Sequence, residues 1–93
     1  MRLKVVKLEK TCRACPAQWE GKLEDGRMIY IRYRWGRLSI RVSKGAKSDI
    51  REAIRGEEIL GIEHGDDLDG TMDFQTLVNL SAGIINYGEI KAE

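Results

Sequence analysis

The stretch Gln18 to Val42, QWEGKLEDGRMIYIRYRWGRLSIRV, constrains the fold more than any other part of the chain, because it reads as three antiparallel strands in a row. Asp25-Gly26 is a strong hairpin signal: both central residues of a two-residue type I′ loop need φ > 0, and this pair tolerates it. Pairing outward from such a loop sets Glu24 against Arg27, Leu23 against Met28, Gly21 against Tyr30 and Trp19 against Arg32. Strand side chains alternate between faces, so Ile29, Ile31 and Tyr33 share one side, and Tyr30, Arg32 and Arg34 the other. Leu38, Ile40 and Val42 alternate in the same way with Ser39 and Arg41. A loop at Trp35-Gly36 with an even residue count puts the two aliphatic rows on one face, whereas a three-residue loop with a bulge would separate them. The expectation is therefore an aliphatic face opposite a basic, aromatic platform of Trp19, Tyr30, Arg32, Arg34, Arg37 and Arg41.

The chain before this meander opens with Leu3 to Leu8, a plausible strand whose Val5-Val6 pair interrupts strict alternation. Thr11 to Pro16 reads as a loop, with Pro16 biasing Cys15 toward an extended backbone. Beyond the meander, Ser43 to Lys47 is a polar connector. Ser48 is placed to cap a short helix from Asp49 to Arg55, which Gly56 stops. Glu58 to Glu63 reads as a further strand and Gly65 to Gly70 as an acidic turn. Asp73 is placed to cap a last helix whose apolar positions Phe74, Leu77, Val78, Leu80 and Ile84 fall near helical spacing, with its end between Asn86 and Gly88. With 93 residues and no repeats, the expectation is one α+β domain, residues 1–93: a mostly antiparallel sheet of four to five strands with two helices packed on its aliphatic face.

Hydrophobic and charged fractions of 42% and 33% suit a globular chain and speak against disorder. No apolar run approaches the roughly 20 residues that span a bilayer. The opening MRLKVVKLEK alternates charged and aliphatic residues and lacks the continuous apolar core of a signal peptide, so a cytoplasmic location without membrane contact is expected. The net charge of +1 hides an asymmetry: residues 1–47 hold thirteen Lys/Arg against four acids, and residues 48–93 three against eleven. Such a split implies an anionic partner for the first half, or the two halves meeting, within one chain or between copies in a homo-oligomer. Opposite charges interleaved on one folded surface would give the same composition.

Cys12-x-x-Cys15 has the spacing of half a zinc site, but His64 is the only histidine and there is no second cysteine pair. Zinc on Cys12 and Cys15, a redox pair and two unreactive loop thiols remain the alternatives. The acidic turn fails as a calcium loop: aligning Gly70 with the central glycine of an EF-hand puts Gly65 and Thr76 where carboxylates are required. No phosphate loop, nucleophile elbow or HExxH motif is present, and His64, with Glu63 and Asp66 nearby, has no nucleophile partner, so an enzyme is not expected. The platform carries the functional signal. Arginine gives planar, bidentate hydrogen bonds to phosphate, and aromatic rings give a base a surface to stack on. The expected ligand is a nucleic acid strand or a nucleotide. Cross-strand stabilisation by Arg–aromatic pairs is the structural alternative.

Cys15-Pro16-Ala17-Gln18-Trp19-Glu20-Gly21, followed by Asp25-Gly26-Arg27 and Ile31-Arg32-Tyr33-Arg34-Trp35-Gly36, resembles a group of small uncharacterised proteins of phages, prophages and assorted bacteria that share a C-P-x-Q-W opening, a D-G turn and a Y-x-R-Y-R-x-G strand. The likeness covers about a third of the chain and implies no site residue or cofactor. It implies a mobile-element accessory protein, a class that includes anti-CRISPR inhibitors of host defence and nucleotide-signal sponges. A host protein is a possible partner on that reading.

Overall fold

The computed structural model describes residues 2–12, 17–45, 49–65, 71–90 and 92. The chain runs β1 (Leu3–Cys12), β2 (Ala17–Leu23), β3 (Met28–Arg34), β4 (Arg37–Val42), α1 (Ile50–Ile54), β5 (Glu57–Glu63), α2 (Phe74–Ser81) and β6 (Ile85–Asn86). All six strands form one curled sheet in the order β5-β4-β3-β2-β1-β6. Neighbours are antiparallel except β1 and β6, which run parallel through Leu3–Ile85 and Lys4–Asn86. The expectation of four to five strands thus gives way to six in a mixed sheet. The extra strand comes from Ile85-Asn86, expected to end the last helix: α2 instead stops at Ser81, before Gly83, and leaves the chain to return along β1. The first strand also continues to Cys12, and the Val5-Val6 irregularity is a bulge, with Val5 opposite Leu23 but Lys7 opposite Lys22.

The two hairpins of the meander close differently. Trp35 (φ 54°) and Gly36 (φ 75°) form a two-residue loop with both φ positive, and Arg34 faces Arg37, as the even count requires. Asp25-Gly26 lies instead in a three-residue loop. The Leu23 amide donates to the Arg27 carbonyl at 2.8 Å, the Gly26 amide donates to the Leu23 carbonyl at 3.0 Å, and Gly26 takes φ 94°. The Asp25 carboxylate holds the loop by accepting from the Arg27 amide at 3.0 Å and the Arg27 Nε at 2.8 Å. The extra loop residue slides the β2–β3 pairing by one position. Trp19 faces Ile31 and Gly21 faces Ile29, rather than Arg32 and Tyr30.

That slip sets the core. Ala17, Trp19 and Leu23 join Ile29, Ile31, Tyr33, Leu38, Ile40 and Val42 on the aliphatic face, under Met72, Phe74 and Leu77 from the α2 segment and Ile85, Tyr87 and Ala92 from the chain's end. Trp19 is wholly buried, and its Nε1 donates to the Ala92 carbonyl at 2.7 Å, so the largest core side chain satisfies its one polar atom. Asp73 caps α2 as expected, its carboxylate accepting from the Thr76 amide at 2.7 Å. In α1 the cap is Asp49, which accepts from the Arg51 and Glu52 amides. Ser48, the expected cap, lies outside the described residues. The expectation that both helices share the aliphatic face does not hold. Ala53 of α1 is buried together with Tyr30, yet neither belongs to the main core cluster, and Ile54 stands beside Tyr30, Arg32 and Arg41. Helix α1 therefore covers one end of the arginine face.

Candidate ligand-binding face

On the face opposite the core, β3 and β4 set side chains in cross-strand pairs: Tyr30 with Arg41, Arg32 with Ser39, and Arg34 with Arg37. These residues line a concavity of about 640 Å³, with Trp35 at one end and Ile54 of α1 also on its wall. Its size falls within the roughly 300–1,000 Å³ of small-molecule sites. The turn that joins the strands explains Trp35. Positive φ in a type I′ loop lifts the first loop residue off the sheet, and the indole is 62% exposed. The Arg34 guanidinium lies over the ring, 4.3 Å from its centroid.

The arginines divide into one that is bound and three that carry no carboxylate. Arg37 donates to Glu58 through Nη1 at 2.6 Å and Nη2 at 3.1 Å, and its Nε is 3.5 Å from Glu63. Ser39 Oγ donates to the same Glu58 carboxylate at 2.8 Å. The Arg37 bonds, then the Ser39 bond, lower the Glu58 carboxyl to about 2. Gly61 leaves room for this arrangement: a Cβ there would run into Arg37 Nη2, and the guanidinium would have to shift from its place across β5. Arg32, Arg34 and Arg41 form no ion pair among the described residues. Arg41 Nη1 donates to the Gly56 carbonyl at 3.1 Å. Arg32 Nε is covered and has no acceptor among the described residues. Burial raises the Tyr30 hydroxyl above its ordinary value, and Arg32 opposes the rise.

Across the strands this basic centre has acidic borders. Glu20 sits opposite Tyr30 with Glu9 beyond it on β1, while Glu58 and Glu63 flank Arg41 and Arg37 on β5. The charge split of the sequence is thus resolved in part by β5 lying along β4, which interleaves acids of the second half with arginines of the first.

Of the expected platform residues, Tyr30, Arg32, Arg34, Arg37 and Arg41 come together, and Trp19 does not. The three-residue loop turned Trp19 to the opposite face, where it is core. Arg37 is on the platform but committed to Glu58. Trp35, Ser39 and Ile54 were not among the expected residues. The Trp-Gly turn was the available signal for Trp35, since a side chain at the first position of such a turn points off the sheet. Of the proposed metal ligands, Cys12 is a free thiol on β1 opposite Gln18, and Cys15 lies outside the described residues. Among the described residues no three His, Cys, Asp or Glu side chains gather as a metal site. His64 packs edge-on against Tyr33 at 5.9 Å, while Asp66 and the rest of the acidic turn to Gly70 lie outside the described residues. Among the described residues no helix is long and apolar enough to cross a membrane.

Comparison with known protein families, with curated proteins and with solved structures finds no match to this chain.

Proposed function

We propose that this is a small non-catalytic binding protein that holds a phosphate-bearing ligand, single-stranded nucleic acid or a nucleotide, on the β3–β4 face. Arg32, Arg34 and Arg41 take the phosphate, and Trp35 takes the stacking role first expected of Trp19. The observation that supports this reading is three guanidinium groups that have no carboxylate partner among the described residues and line one concavity beside an exposed indole. Guanidinium groups are costly to crowd without anions, and phosphate oxygens fit their planar fork. The resemblance to small phage and prophage proteins adds a context, an accessory factor of a mobile element, and no residue. The test is titration of fluorescent oligonucleotides and nucleotides at low and high salt. Binding that weakens steeply with salt is expected, and no binding under either condition overturns the proposal.

A second reading, a protein-binding inhibitor or self-assembling factor, draws on the same rim. Trp35 and Ile54 are exposed apolar side chains beside arginines, and Trp and Arg dominate protein–protein hot spots. Light scattering at low and high salt separates the two: salt-sensitive oligomers that block nucleotide binding favour the second.

A further inference from the structure

We infer that the occupant of the concavity is one free nucleotide carrying a terminal phosphate group, rather than a run of nucleic acid strand; this rests on the function proposed above and narrows its ligand. The sequence has two Trp, three Tyr and one Phe, and all six lie within the described residues. Trp19, Tyr30, Tyr33, Phe74 and Tyr87 are buried and the exposed His64 packs against Tyr33 of the core, which leaves Trp35, with Arg34 over one side of its ring, as the exposed ring on this face. Proteins that follow a single strand stack successive bases on successive rings. This face has a place for one base.

The charges agree. Arg32, Arg34 and Arg41 converge on one concavity, whereas a strand contacts phosphates spaced along its backbone. A phosphodiester brings a single charge. A terminal phosphate brings nearly two and three acceptor oxygens, as phosphorylated side chains do, and so matches a cluster of guanidinium forks better. Arg32 Nε is covered and has no acceptor among the described residues, and neither Arg32 nor Arg34 is tied to a carboxylate there. A backbone leaving across the sheet beside Tyr30 would next meet Glu20 and Glu9, one leaving beside Arg32 would meet the uncharged Gln18, and on the β5 side it would meet Glu58 and Glu63. Ile54 and α1 wall the Tyr30–Arg41 end. The wall at Ile54 leaves Trp35 at the exposed end of the concavity, where a single base has its ring.

The experiment compares adenosine, AMP, ATP and oligodeoxyadenylates without terminal phosphate, of about four to sixteen nucleotides, the span of single-strand sites, by competition against a fluorescent ATP analogue. The expected order places ATP first and AMP next, with adenosine and the oligomers weaker by about tenfold or more and the oligomers showing no gain with length. Trp35→Asn, which keeps a residue suited to the left-handed turn, is expected to weaken ATP about tenfold, the size of one lost base stack. Affinity that climbs with oligomer length and exceeds that for ATP overturns the inference while leaving the broader proposal standing. Equal affinity for adenosine and ATP also overturns it, because phosphate is then not the handle. If every probe fails to bind, including the fluorescent analogue measured directly, the proposed function fails with it.

Discussion

Arg37 and Glu58 meet end-on across β4 and β5, with two bonds of 2.6 and 3.1 Å between one guanidinium and one carboxylate. The pair removes Arg37 from ligand duty and ties the edge strand β5 to the rest of the sheet on the face where the ligand is proposed to sit. Its position also separates the arginines by role: one bonded to acids, three facing the concavity.

The Glu58 carboxyl, held at about 2 by Arg37 and then Ser39, is expected to stay charged well below the ordinary Glu value of 4.5. A depressed native value means that the link contributes fully above pH 4.5 and is lost as the pH falls toward about 2. Both side chains are partly solvated, so the contribution is small, about 0.2–1 kcal/mol. Carbon-detected NMR titration of the Glu58 carboxyl checks it. In Arg37→Ala the midpoint moves up toward 4.5, and an unchanged midpoint would show that the pairing does not form in solution.

Removing the acid has an opposite consequence for the ligand. Glu58→Gln leaves hydrogen bonds for Arg37 and Ser39 but frees one positive charge at the concavity wall. ATP affinity is expected to rise about two- to fivefold, the size of one Coulomb contact in high dielectric, with a steeper salt dependence by calorimetry. A loss of affinity would show that the Arg37–Glu58 pair shapes the site rather than competing with the ligand.

Trp19 tests the register on which the whole face depends. Trp19→Ala should cost about 3–5 kcal/mol as a large core cavity opens, and Trp19→Phe about 1–3 kcal/mol, since the Ala92 carbonyl loses its donor. Urea unfolding measures both. Trp19→Phe should leave ATP affinity unchanged, because the indole faces away from the arginines. A stable Trp19→Phe protein that no longer binds would return Trp19 to the site.

Most of this arrangement was legible in the chain. The alternation of Ile29, Ile31 and Tyr33 with Tyr30, Arg32 and Arg34, and the even loop at Trp35-Gly36, fixed the faces of β3 and β4 correctly. At β2 the Asp-Gly dipeptide and the hydrophobic pattern point to different registers, and the pattern prevails. Asp-Gly suits a two-residue loop, but it equally serves a three-residue loop in which glycine alone takes positive φ. Ala17, Trp19 and Leu23 alternate with Gln18, Glu20 and Lys22, and burying the former is worth far more than one turn geometry. The Arg37–Glu58 pair was not legible, because it depends on β5 lying beside β4 and on Gly61 opposite Ser39. The position of α1 was not legible either: five residues with one buried alanine carry no face signal strong enough to choose a side of the sheet.

The chain's end supplies the last prediction. Ser81 Oγ donates to the Leu77 carbonyl at 2.7 Å and lies 2.8 Å from the Tyr87 hydroxyl, so with its own proton engaged Ser81 accepts the proton of Tyr87. Burial pushes the Tyr87 hydroxyl up to about 12. The unfolded chain ionises this group near its ordinary value of 10, and the native protein does not. A raised native value therefore leaves stability intact below pH 10 and removes it as the pH climbs through about 12. Two units correspond to about 2–3 kcal/mol. Tyr87→Phe lacks the group that titrates. Below pH 10 the wild type should exceed it in stability by a constant amount, about 0.5–1.5 kcal/mol for the lost hydrogen bond. Between pH 10 and 12 that advantage should shrink and reverse, as followed by urea unfolding of both proteins. A difference that stays constant to pH 12 would show that Tyr87 is not sealed against α2, and the chain's return past β6 to cover Trp19 would then need another anchor.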